Sequence, residues 1–116
     1  MVNLQHDSLQ HKIYTELRKR GWYDYVRKEY PVYKVKNGRH VLVHEVDVAA
    51  FKMNENGTYD ITAFEIKTGR RKNYLSCCKR QSNAWFTNIN SSSYPDSYST
   101  NFVVVHPKDG IYRIKP

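Results

Sequence analysis

Apolar residues fall along this chain in two rhythms, and the switches between them mark its elements. Leu9, Ile13 and Leu17 recur every four residues, the spacing of one buried stripe on a helix. Asp7 or Ser8 can cap that helix, and Gly21, just past Arg20, can stop it. From Trp22 to Val35 the pattern becomes a loose alternation rich in Tyr and Val, which predicts a strand interrupted near Pro31. Lys36-Asn37-Gly38-Arg39 holds an Asn-Gly hairpin turn. A second strand follows from about Val41 to Lys52. After the turn at Asn54-Glu55-Asn56-Gly57 comes a third, from Tyr59 to Lys67.

A helical rhythm then returns from about Asn73 to Asn90, with Leu75, Cys78, Trp85, Phe86 and Ile89 on its apolar face. Ser91 to Thr100 is polar and reads as a loop. Phe102 to His106 reads as a buried strand, Pro107 to Gly110 as a turn, and Ile111 to Lys115 as a short last strand. No internal repeat is visible. The order is helix, three strands, helix, two strands. A chain of 116 residues suits one domain with a single core. The expectation is an α/β fold, a mixed five-stranded sheet flanked by helices.

Composition adds a bias in charge. Lys and Arg number 19 against 11 Asp and Glu, a net charge of +8. Such a balance favours a polyanionic partner, most often nucleic acid, and is also what a merely soluble basic protein shows. Forty per cent hydrophobic residues and ten tyrosines argue for a packed fold over global disorder. No apolar run is long enough to cross a membrane. The first residues do not read as a secretory signal. Cys77 and Cys78 are adjacent and have no other cysteine to pair with. They are expected to be reduced thiols used for packing, in an intracellular protein. The five histidines are scattered, and none is assigned to a metal.

The candidate chemistry lies on the second and third strands. In a strand, residues two apart share a face, so Glu65 and Lys67 point one way and Ile66 the other. If the strands are neighbours, Asp47 reaches the same face. Two carboxylates can hold a hard cation such as Mg²⁺, with Mn²⁺ as a substitute, and the backbone carbonyl of Ile66 is a further ligand candidate. Lys67 can orient or deprotonate a water, or neutralise charge developing on a phosphate. An ordinary cross-strand salt bridge would use the same three residues. Glu16 falls about 20° from Leu9 on a helical wheel, at roughly 100° per residue. A carboxylate there either reaches water at the stripe's edge or turns inward, where it can serve a second metal or hold a metal-bound water. Glu45 shares the face of Asp47 if the strand is regular. It is either a supporting carboxylate or a solvated edge residue, with a rival ligand as the third reading.

Asp47, Glu65-x-Lys67, Glu16 on an amino-terminal helix and Gln81 on the following helix resemble the PD-(D/E)XK nuclease superfamily. The order of elements is also similar to its restriction-endonuclease-like core, over about Leu9 to Lys115. Val46 stands where the superfamily motif has a proline. In size the chain most resembles archaeal Holliday-junction resolvases and their viral relatives. The resemblance implies metal ligands at Asp47 and Glu65, a catalytic lysine at Lys67 and an acidic helper at Glu16. Gln81 resembles a glutamine that some branches carry near the site. It further implies a Mg²⁺-dependent deoxyribonuclease, most like a homodimeric junction resolvase on branched DNA, within the cell or the host cytoplasm if viral. The alternatives are an exonuclease or restriction-like enzyme on linear DNA, and a DNA-binding module without catalysis.

Arg70, Arg71, Lys72, Lys79 and Arg80 cluster just after the site. They suit phosphate contacts as well as they suit a solvated basic face. Lys34, Lys36 and Arg39 border the first hairpin and can grip a flanking duplex. Arg18, Lys19 and Arg20 end the first helix, where cations complement its dipole.

Overall fold

The computed structural model describes residues 4–89 and 99–115 of the chain. Its elements run α1 (Leu4–Arg20), β1 (Tyr25–Lys36), β2 (Arg39–Met53), β3 (Tyr59–Ile66), α2 (Arg71–Ile89), β4 (Ser99–His106) and β5 (Gly110–Ile114). One five-stranded sheet holds the strands in chain order. β3 and β4 pair in parallel and the other neighbours antiparallel, so the sheet is mixed. α2 is the crossover that a parallel pair requires. The fold is α/β, as the order of periodicities implied. No helix among the described residues is long and apolar enough to cross a membrane.

Each helix covers one face. Tyr74, Cys78, Trp85 and Ile89 of α2 pack on Ala49, Phe51, Ile61, Ala63, Phe102 and Val104. Leu9, Ile13, Tyr14 and Leu17 of α1 pack on Val26, Val48, Ala50, Ile66, Val103 and Val105. The alternation along β3 is strict. Ile61 and Ala63 face α2, while Phe64 and Ile66 belong to the α1 side.

Several boundaries differ from expectation for local reasons. α1 is already helical at Leu4, which places Asp7 within it rather than at its cap. β1 runs through Pro31, opposite Glu45, because β1 is an edge strand and a missing N–H there breaks no inner ladder. Asn37 and Gly38 have φ of 54° and 74°, the left-handed pair that a two-residue hairpin turn demands. The loop expected over Ser91–Thr100 lies outside the described residues except for its end, where Ser99 and Thr100 already belong to β4.

The alternation of β2 breaks at Asp47. Val46 packs in the α2-side cluster and Val48, two residues on, in the α1-side cluster. β1 breaks in step: Val26 lies on the α1 side, while Tyr30 and Val32 lie on the α2 side. The register runs from Lys28↔Val48 to Tyr30↔Val46, passing over Glu29, whose φ is 54°. A non-glycine residue in that region is strained, and local irregularities of this kind re-aim side chains near functional sites. Here the re-aimed residue is Asp47.

Candidate active site

The register Val48↔Phe64 brings Asp47 opposite Glu65, and there the β2–β3 ladder gives way to side chains. Asp47 Oδ2 accepts the Ile66 N–H at 2.8 Å, and Glu65 Oε1 accepts the Asp47 N–H at 3.1 Å. Each carboxylate therefore caps the backbone of the opposite strand. The Asp47 carbonyl accepts from Gln10 Nε2 of α1 at 2.8 Å, so both its N–H and its C=O are bound by side chains. A buried strand that leaves its ladder must find such partners.

Two histidines complete the frame. His6 Nε2 of α1 lies 3.1 Å from Asp47 Oδ2, and His44 Nε2 of β2 lies 2.9 Å from Glu65 Oε1. Glu65 is 2% exposed. Lys67 Nζ stands 3.7 Å from Glu65 Oε2 and 3.9 Å from Cys77 Sγ. Burial, and then the charge of Glu65, push the Asp47 carboxyl above its ordinary value, against the pull of the Ile66 N–H and His6.

These residues line a cavity of about 350 Å³ together with Glu45, Thr68, Gly69 and Gln81. Glu65 and Lys67 share the α2 side and Ile66 the other, as the strand spacing predicted. Gln81 reaches the cavity from α2, and its Oε1 is buried without a hydrogen-bond partner among the described residues. Glu45 is exposed at the cavity wall. Cys78 is fully buried in the α2 interface, and burial holds its thiol at about 11, in keeping with a packing role.

Glu16 requires a correction. It is exposed on α1 and does not line the cavity. The expectation centred the helix on Leu9, Ile13 and Leu17, but His6, Gln10 and Tyr14 belong to the same inward face. Including them turns the centre roughly 30° away from Glu16, at about 100° per residue. Gln10 lies about 20° from Leu17 on the wheel, just as Glu16 lies about 20° from Leu9. The two residues mark opposite edges of one stripe, and packing buries the Gln10 edge. Sequence reasoning missed His6, Gln10 and His44. The available signal was a polar pair four residues apart, His6 and Gln10, on an otherwise apolar helix face.

The basic residues divide by distance. Exposed Arg70 lines a neighbouring cleft of about 460 Å³ with Thr68, Gly69 and Lys108. His106 fixes the intervening loop: its Nδ1 accepts the Lys108 and Asp109 N–H groups, which leaves its Nε2 to donate to the Gly69 carbonyl at 2.7 Å. Lys72, Lys79 and Arg80 are exposed on α2, and Arg80 donates to Cys77 Sγ at 3.6 Å. Arg71 is the first residue of α2. Lys36 and Arg39 flank the hairpin turn, roughly 25 Å along β2 from Asp47 at about 3.3 Å per residue. They are not part of the carboxylate cluster.

A fit to Mg²⁺ can be judged from the donors. Among the described residues no three His, Cys, Asp or Glu side chains form a group that could hold a metal ion. The set offered is two carboxylates and the Ile66 carbonyl, which leaves β3 on the side its N–H presents to Asp47. These are hard oxygens, few in number, as Mg²⁺ uses when water and phosphate oxygens fill its remaining positions. Asp47 Oδ1 and Glu65 Oε2 accept no hydrogen bond among the described residues. The residues present fit the ion in kind. No protein-family model, curated protein or solved structure matches this chain.

Proposed function

We propose that this chain is a Mg²⁺-dependent DNA endonuclease that hydrolyses phosphodiester bonds, with a restriction-endonuclease-like core of the PD-(D/E)XK kind. The observation that carries this reading is the break in β2 at Asp47. There Asp47 and Glu65, set opposite by the register, each cap the other strand's backbone, with Lys67 3.7 Å from Glu65, in a protein of net charge +8. A chance surface salt bridge has no need of a reorganised sheet, two histidines and a buried glutamine around it.

Asp47 and Glu65, with the Ile66 carbonyl, would hold the cation, which would supply Lewis-acid polarisation of the scissile phosphate. His6 and His44 bind one oxygen of each carboxylate and so fix where the other points. Lys67 orients the attacking water and offers positive charge where negative charge builds on phosphorus. The Gln81 amide has an unused oxygen beside that position and can hold the water by a hydrogen bond. Arg70, Arg80 and Lys72 meet the flanking phosphates without reading bases. Glu16 takes no part.

The favoured substrate is a branched duplex, a Holliday junction above all, cut by a homodimer that offers two sites to two strands. The hairpin tip supports a second copy: Tyr33, Val35 and Leu42 are 41%, 59% and 51% exposed and share one face through the pairing of Tyr33 with Leu42, an apolar patch of the sort that docks on a partner. The test is cleavage of a four-way junction by wild type and by Asp47→Ala, with Mg²⁺ and with chelator. Metal-dependent cutting lost in the variant is expected; intact activity in Asp47→Ala would sink the assignment. Flap, single-stranded and linear duplex substrates, run in parallel, distinguish a resolvase from an enzyme of linear DNA.

A further inference from the structure

We propose that the β1 edge of the sheet is a track for an unpaired DNA strand, with bases stacking on Trp22 and Tyr25. Arg18, Arg27, Lys28 and Lys52 meet its phosphates. This rests on the reading of the chain as DNA-acting and adds a recognition surface away from the carboxylates. A cleft of about 430 Å³ opens between the end of α1 and the start of β1, lined among others by Tyr14, Arg18, Tyr25, Arg27 and Lys28. Asp24 is the one acid in its lining, and its carboxylate accepts the Met53 N–H. Three cations against one carboxylate leave the cleft net cationic, and that carboxylate is tied to the β2 backbone.

Aromatic rings and cations are interleaved here. Arg18 and Lys28 lie over the Tyr14 ring at 5.3 and 5.1 Å, Arg27 over Tyr30 at 5.6 Å, and Lys52 over Trp22 at 5.3 Å. The pairs straddle the sheet around the start of β1: those on Tyr14 lie on the α1 side and that on Tyr30 on the α2 side, so a strand bound here wraps over the edge. Such contacts hold long side chains in place before a ligand arrives. Trp22 is 65% exposed and Tyr25 54%, with Phe51 backing the Tyr25 ring at 5.5 Å.

A surface built for charge alone has no use for open tryptophan and tyrosine rings. A duplex offers such rings little to stack on, because its base faces are covered by their neighbours, whereas an unpaired strand offers every base. Helix α1 joins the two regions: His6 stands at the carboxylates and Arg18 at the cleft, roughly 18 Å apart at 1.5 Å per residue. A strand of a few nucleotides spans that gap. The arrangement adapts the same branched-duplex site to a junction whose arm carries an unpaired strand beside the cut.

The test measures binding of the full chain in chelator, so that it does not depend on cleavage. Fluorescence anisotropy compares a labelled oligothymidine with a duplex of equal length over a range of salt, and Trp fluorescence is read on titration. Wild type is expected to bind the single strand more tightly, with quenching that Trp22→Phe alters. Tyr25→Ala and Trp22→Ala should each weaken single-strand binding by about tenfold and leave the salt slope unchanged. Arg27→Ala with Lys28→Ala should lower the slope by roughly 0.7 for each phosphate left without its cation. Tyr25→Phe keeps the ring and should bind like wild type, and thermal melts check that each variant is folded. Equal affinity for duplex and single strand, or folded Ala variants that bind like wild type, would overturn the track. If these variants lose single-strand binding while Asp47→Ala leaves cleavage untouched, the track stands and the nuclease reading falls.

Discussion

Strand β2 passes through two environments. From Arg39 to Glu45 it pairs with β1 alone, and Val41 and Leu42 remain 39% and 51% exposed. From Val46 to Phe51 it lies between two helices, and Val46, Val48, Ala49 and Ala50 are wholly buried. In the outer half a side chain meets water or one neighbour, so its identity is loosely constrained. In the inner half every polar atom must find a partner, because water cannot supply one. Asp47 is the polar residue of that half, and its N–H, its C=O and one carboxylate oxygen are all bound. The contrast explains why the candidate site sits in the buried half: there a side chain is held in one orientation, and its interaction with another charge is strengthened by exclusion of water.

The contrast can be broken in graded ways. Asp47→Ala should reduce Mg²⁺-dependent cleavage to background while leaving DNA binding measurable by anisotropy. Lys67→Met should lower kcat by roughly 10²- to 10⁴-fold with KM little changed, the signature of a group acting in the transition state. His44→Ala removes one of the two partners of Glu65 Oε1 and should weaken Mn²⁺ binding, read by calorimetry, by roughly 10- to 100-fold. His44→Gln keeps a donor and should recover most of that loss. In urea melts Val48→Ala should cost about 2 kcal/mol, whereas Val41→Ala in the outer half should stay within about 0.5 kcal/mol. Equal costs at the two positions would erase the distinction between the halves.

The smallest effect concerns pH. The folded state raises the Asp47 carboxyl above its ordinary 3.8, so folding binds a proton that the unfolded chain has released. The associated stability is fully present below the ordinary value and drains away as pH rises through the folded one. Asp47→Asn is neutral throughout and escapes that loss. Its stability relative to wild type should therefore increase across this window and stay higher above it, as thermal melts at a series of pH values would show. Added Mg²⁺ should stabilise wild type and leave Asp47→Asn much less affected.

Much of this fold is legible in the sequence. The four-residue rhythm of Leu9, Ile13 and Leu17, the Asn37-Gly38 turn and the unbroken run Phe102–Val105 all report local geometry. Backbone periodicity and turn sterics act over a few residues, and the letters carry them. The same holds for Glu65-x-Lys67, whose shared face follows from a regular strand. That β2 and β3 are neighbours stood only as a condition in the sequence, and their antiparallel pairing meets it.

Other features depended on elements distant in sequence. The helix rhythm leaves Glu16 and Gln10 as equal edges of one stripe, and only docking on the sheet buries Gln10 and leaves Glu16 in water. The partnership of His6 with Asp47 spans 41 residues, and no local pattern announces it. The break in alternation at Asp47 is also tertiary, because it arises jointly on two strands and is stabilised by side chains from α1 and β3. The sequence by itself determined the elements, the charge and the Asp47, Glu65 and Lys67 trio. Tertiary structure decided which polar groups were buried beside that trio, because burial depends on what packs across the sheet and not on the residue's own neighbours in the chain.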